Sequence, residues 1–232
     1  MVRTWCIGNS NSLFLAKMEQ LLQLYARPYD PAYPVVCFDE RPCFLIGEQI
    51  EPLALQSGQV RKQHYAYEKH GSCALLAAIE PLTGQRLAQV HTQRTKKEFT
   101  HFCGALAAAY PAAQQIQLVL DNLNTHNPSA FYESLPAAEA LQLANRFAFH
   151  YTPKAASWLN MIEIEFSALA RLGLNRRMPT LAQLKQEVMA LVNERHEKRI
   201  KIHWQFSVDA ARGKLNAHYR RINALNEQYR KT

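Results

Sequence analysis

The sequence predicts an α/β fold: a mixed five-stranded sheet flanked by helices. Two observations carry that expectation. The first is the order of patterned segments, which runs as three strands joined by short turns, then helix, strand, helix, strand, helix. Short turns make the first three strands antiparallel, and helical crossovers make the last two parallel to a neighbour. The second is the stretch LVLDNLNTH at 118–126, where three apolar residues read as a buried strand and an aspartate follows them directly.

Taken in order, LFLAKMEQLLQLY at 13–25 spaces Leu13, Met18, Leu21, Leu22, Leu24 and Tyr25 as a helix does. The link RPYDPAYP then forbids its continuation through Pro28, Pro31 and Pro34. VVCFDE is a short apolar run that is expected to end as a strand at Asp39, and Gln49 to Lys62 reads as a connector whose Arg61 and Lys62 need be no more than solvated charge. SCALLAAIE at 72–80 and QRLAQVH form a hairpin about the turn PLTG. Residues 95–110 follow the helical period through Phe99, Phe102, Leu106 and Tyr110. After the strand that ends at Asp121, residues 128–146 read as helical, and FAFHY at 147–151 is the fifth strand. Helices are expected over about 158–174, 180–198 and 207–228.

Composition excludes several classes. Of the 232 residues, 48% are hydrophobic and 20% charged, which are ordinary globular values. No apolar run suits a membrane span and MVRTWCIGNSNS lacks the apolar core of a signal peptide, so a cytoplasmic setting with no membrane partner is expected. The five cysteines (Cys6, Cys37, Cys43, Cys73, Cys103) are odd in number and contain no CxxC pair, which disfavours a disulfide framework or a zinc site. The net charge of +8 is unevenly placed: residues 1–170 carry 13 Lys and Arg against 14 Asp and Glu, whereas 171–232 carry 14 against 5. Runs such as RHEKRIK and HYRRI favour a polyanionic partner, although a solvated helical surface explains them equally well.

Two strands of this plan, the first and the fourth, end in aspartate. If they are parallel neighbours, their ends lie roughly 5 Å apart. Asp39 and Asp121 then share one edge of the sheet, where two carboxylates repel unless a cation or proton lies between them. Oxygen ligands of this kind suit Mg²⁺, with Mn²⁺ as a substitute. A third ligand is expected from SWLNMIEIEFSAL, whose buried stripe is Leu159, Ile162, Phe166 and Leu169. Glu163 and Glu165 flank that stripe on opposite sides, and periodicity does not choose between them.

VVCFDE, LVLDNLNTH and HYTPKAASWLNMIEIEFSAL resemble, in order and in context, the three catalytic blocks of bacterial insertion-sequence transposases of the mariner-like superfamily. The similarity extends over most of residues 5–215, including the RPYDP link and the segment around Trp204. It implies a ribonuclease-H-like fold with an Asp-Asp-Glu metal site. Asp39, Asp121 and Glu163 would be the ligands and catalytic residues, Glu163 being preferred because it closes LNMIE. It further implies Mg²⁺-dependent strand cleavage and strand transfer on double-stranded DNA, in a dimeric complex. Recognition of the element's ends is then expected to need a helix-turn-helix region outside this chain. The expected division is residues 1–34 as an N-terminal helix and link, 35–178 as the catalytic domain, and 179–232 as a basic helical extension. The alternatives are another ribonuclease-H-like nuclease, or a DNA-binding fragment that has lost catalysis.

Secondary candidates surround this triad. Lys154 and Ser157 are expected to contact DNA phosphates. Trp158 either stacks on an unpaired base or packs in the core. Arg171, Arg176 and Arg177, just after the catalytic helix, are also expected to bind DNA through its phosphates. Asn122 is placed to orient Asp121 through a hydrogen bond, and His126 either touches the site or is a hydrogen-bonded surface residue.

Overall fold

A computed structural model describes residues 11–50 and 64–229, with side chains to 226. The connector expected at 49–62 lies almost wholly outside the described residues. Five strands, β1 Val35–Glu48, β2 Tyr67–Glu80, β3 Gln85–His91, β4 Ile116–Leu120 and β5 Phe147–Tyr151, form one sheet in the order β3-β2-β1-β4-β5. β1–β2 and β2–β3 are antiparallel, and β1–β4 and β4–β5 are parallel; the four-residue turn requires this for β2–β3, whereas β1 and β2 are joined by the longer connector.

Both faces of the sheet are covered, so its apolar runs bury both parities. Val36, Phe38, Ile116, Leu118 and Leu120 pack beneath α2 (Lys96–Ala109), α3 (Ser129–Ser134) and α4 (Ala137–Asn145). Cys37 and Val119 point the other way, toward α1 (Ser12–Tyr25), α5 (Ile162–Leu169) and α6 (Leu181–Glu197). Helix starts follow their caps: Asn11 accepts the Phe14 N–H at 2.8 Å, and Thr95 and Glu98 close a reciprocal capping box on α2. Among the described residues no helix is long and apolar enough to cross a membrane.

Three expectations need correction. β1 does not end at Asp39. Its parallel ladder with β4 stops at Cys37, but the strand continues to Glu48 as one arm of a long hairpin with β2. The helix expected over 158–174 is broken into a 3-10 turn at Ser157–Leu159, α5, and a π-helical turn at Ala170–Leu174. The break falls where Asn160 turns its amide inward, donating to the Phe38 carbonyl at 2.8 Å. The last helix is likewise split into α7 (Val208–Lys214), α8 (Asn216–Ile222) and a final 3-10 segment. These elements are not a loose tail: Ala211, Leu215 and Tyr219 belong to the same core as α1, α5 and α6.

Gly84 shows why the turn PLTG is needed. Its φ of +79° lies in the left-handed region, and a Cβ there would stand 2.7 Å from the Arg199 carbonyl carbon.

A candidate carboxylate site at the sheet edge

Parity places the acids. Cys37 pairs with Val119, and the same offset carried two residues further sets Asp39 opposite Asp121, just past the ladder. Asp39 shares the parity of Cys37, which faces α5, and Asp121 lies one residue past the end of β4, where its charge acts on Asp39. Asp39 is 9% exposed, and its Oδ1 accepts the Glu40 N–H at 2.7 Å. Burial pushes its pKa up to about 7, with the charges of Asp121 and Glu163 adding to the rise and the Glu40 N–H and His126 opposing it.

α5 separates its two glutamates. Glu165 is 2% exposed and accepts from Arg86 Nε at 2.8 Å and from Arg195 Nε at 2.8 Å. Burial works against its charge, but Arg195 and Arg86 outweigh it and hold the carboxyl below its usual range. Glu165 is therefore committed to a buried ion cluster. Glu163 instead lies in a cleft with Glu40, Arg41, Pro42, Phe166, Ser167 and Ala170. Its pKa is raised by burial and only partly restored by Arg41.

The loop after β4 turns back so that the Leu123 carbonyl accepts the His126 N–H at 3.0 Å. That turn drives His126 inward, where it is 0% exposed between the rings of Phe38 and Phe99. Its Nδ1 lies 2.5 Å from Asp121 Oδ1, and its Nε2 lies 3.1 Å from Glu40 Oε1. The second contact is off the line of the ring N–H, an ion pair rather than an aligned hydrogen bond. Burial alone would push the imidazole pKa down, yet the two carboxylates raise it to about 9.

The sequence alone did not reveal Glu40, Arg41 or Asn160 as parts of this site. Asn160, 1% exposed amid WLNMIE, was the available signal, since a buried amide in an apolar run must bond to something specific.

Beside Asp121 lies a cleft of about 790 Å³, lined by Lys17 of α1, Asn122, Thr152, Lys154 and Ser157 among others. Lys154 and Ser157 are thus brought to the site edge. Asn122 is exposed, and it is His126 that bonds the Asp121 carboxylate. The ring of Trp158 lies against Phe206, centroids 5.7 Å apart. Arg171 is exposed on the turn after α5, while Arg176 pairs with Glu187. Arg177 is occupied by the hairpin, donating to Glu48 and to the carbonyls of His64 (2.8 Å), Tyr65 (3.2 Å) and Ala66 (3.0 Å).

Asp39, Asp121 and Glu163 supply the hard oxygen donors that Mg²⁺ or Mn²⁺ takes. The pKa of Asp39 is raised chiefly by burial, with the charges of Asp121 and Glu163 adding to it, and a bound cation would favour its charged form. The donor chemistry fits. The spacing is looser, since among the described residues no three His, Cys, Asp or Glu side chains close on one point as metal ligands.

The sequence model of the family described as "DDE superfamily endonuclease" matches residues 34–185. The chain belongs to the DDE superfamily. A comparison with curated proteins gives no match. Among solved structures, this DDE domain is similar to a Mos1 transposase paired-end complex with the left transposon end (TM-score 0.58, 13% identity, 100% of this chain and 67% of that one). It is also similar to a Mos1 mariner paired-end complex with Mn (TM-score 0.58, 15% identity, 100% and 68%) and to the Mos1 strand transfer complex (TM-score 0.55, 12% identity, 99% and 63%). At these identities the likeness establishes the fold, and the chain spans about two-thirds of each of those proteins.

Proposed function

We propose that this chain is the catalytic domain of a mariner-like insertion-sequence transposase, cleaving and rejoining DNA phosphodiesters at Asp39, Asp121 and Glu163. The observation that carries the reading is the sorting of α5: inside a DDE family match, Glu165 is tied up by arginines, while Glu163 is left in the cleft with Glu40 and Arg41, near enough for its charge to act on Asp39. When bound, Mg²⁺ (or Mn²⁺) would activate a water or 3′-hydroxyl for in-line attack and stabilise the leaving 3′ oxygen.

The chain's own groups do the rest. Asp39 and Asp121 hold the charge at the sheet edge, and Glu163 approaches from α5. Lys154, Ser157 and Lys17 line the cleft beside Asp121 and are placed to take the phosphates of a DNA strand. Arg171 offers a further exposed cation on the α5 side. The partners are double-stranded element ends and target DNA. Paired ends and strand transfer, named for the Mos1 complexes, support a dimeric working form.

A second reading, a DDE fold that binds DNA without cutting it, draws on the looser spacing of the three carboxylates. Incubation of labelled terminal-repeat duplex with Mg²⁺, beside an Asp121→Asn control, separates the two. Nicking by the wild type alone supports the enzyme; binding without nicking in either supports the second reading.

A further inference from the structure

We propose that Glu40 and His126 are a positioning pair that fixes the Asp121 carboxylate, and that this pair sets how tightly the site takes a divalent cation. The inference rests on the catalytic reading above. Neither residue is a ligand in it.

The contact joins the two segments that carry the aspartates. Glu40 follows Asp39 on β1, and His126 closes the loop that begins at Asp121. The ring between them therefore fixes the separation of the two acids as well as the orientation of one. It engages Oδ1 of Asp121 and leaves the other carboxylate oxygen available. A carboxylate free to rotate would present that oxygen in many directions, and ordering it on binding would weaken affinity.

Packing alone does not explain the arrangement. The side chains of His126 and Glu40 are 0% and 2% exposed, and Glu40 Oε1 has no aligned hydrogen-bond donor. Burying a carboxylate against a ring is unfavourable where an apolar pair would fill the same space between Phe38 and Phe99. The burial makes sense as support for Asp121. Outer partners of metal ligands commonly work this way.

The test is Mn²⁺ binding by the full chain, read by electron paramagnetic resonance, together with urea unfolding. His126→Leu fills the space but removes both contacts, and its Mn²⁺ affinity should fall by about tenfold to a hundredfold. His126→Asn returns an amide donor near the position of Nδ1 and should recover much of that loss, although it fills the core less well. A space-filling role predicts no such rescue. If Asn binds no better than Leu, or both bind as the wild type does while Asp121→Asn is weakened, the positioning role is overturned. If Asp121→Asn itself binds Mn²⁺ like the wild type, Asp121 is no ligand, and the catalytic reading falls together with this inference. Should His126→Leu not fold, Glu40→Gln carries the test: it keeps the shape, loses the charge, and should weaken Mn²⁺ several-fold. Unchanged affinity there overturns the proposal.

Discussion

Arg86 grips Glu165 with two parallel hydrogen bonds, Nε to Oε1 at 2.8 Å and Nη2 to Oε2 at 3.1 Å, across the space between β3 and α5. The same guanidinium also donates to the carbonyls of Gly84, Arg195 and Ile200. One side chain thereby ties the β2–β3 turn, α5 and the end of α6 together. Glu165 is its counter-charge, and that duty removes Glu165 from the carboxylate site.

Glu165→Gln should therefore destabilise the fold without a primary effect on chemistry. It leaves Arg86, whose side chain is 1% exposed, as an uncompensated buried charge. Removing one partner of such a pair costs about 3–5 kcal/mol. Glu163→Gln should do the opposite, leaving the urea midpoint unchanged or slightly raised and abolishing cleavage. A Glu165→Gln protein of wild-type stability that cannot cut would exchange the roles of the two.

Much of this arrangement is legible in the sequence, for reasons that differ by element. QRLAQVH and FAFHY give β3 and β5 to the residue because turn signals bound them. Leu159, Ile162, Phe166 and Leu169 are buried as their spacing requires. The outer half of β1 is not legible, because DERPCFLIGE lies in a half-exposed hairpin with no clean alternation. His126 is hidden for another reason. A histidine in a polar loop reads as surface, and only the turn at Leu123 sends it into the core. Glu163 and Glu165 are separated by residues from β3 and α6, which no local pattern contains.

Asp39 gives a pH prediction. Its pKa is raised from 3.8 to about 7, chiefly by burial, so the folded chain binds a proton there that the unfolded chain releases earlier. The stabilising contribution is fully present below about pH 4 and is lost as pH rises through about 7. Asp39→Asn removes this loss, so in chelator its stability should exceed the wild type's at pH 8 by a few kcal/mol, and not at pH 4. Urea unfolding at the two pH values measures the difference. An equal gap at both would mean that Asp39 is not a strained acid. Mg²⁺ should narrow the gap at pH 8 by stabilising the wild type.

Gly84→Ala tests the turn that anchors the far end of the sheet. A methyl group would have to displace the Arg199 carbonyl carbon, 2.7 Å away, while holding φ at +79°. A loss of about 1–3 kcal/mol is expected. Wild-type stability would show that the close approach to Arg199 relaxes freely.

The last prediction concerns where the positive charge meets DNA. The basic run RHEKRIK packs its end against the β2–β3 turn, with Ile202 N–H bonded to the Pro81 carbonyl at 3.0 Å. β2 runs antiparallel to β1, with Ile79 opposite Cys37, so this turn lies at the edge where β1 begins. Asp39 lies four residues along β1 from that end, roughly 13 Å at 3.3 Å per residue, and Asp121 lies just past the far end of β4. Arg195 and Arg212 are moreover paired with Glu165 and Glu19. Cutting the chain after α5 cannot test the basic end, because Leu184, Val188, Val192, Leu215 and Tyr219 would leave the core. Substitutions can. Lys17→Gln with Lys154→Gln, beside the Asp121 cleft, should lower DNA affinity and flatten the dependence of log K on log salt by about 1–2. Lys198→Gln with Lys201→Gln, exposed at the far edge, should change that slope little. A salt titration of binding to one duplex by the two double variants decides it. A larger loss of slope from the second pair would place the DNA along the opposite edge of the sheet, away from the carboxylates.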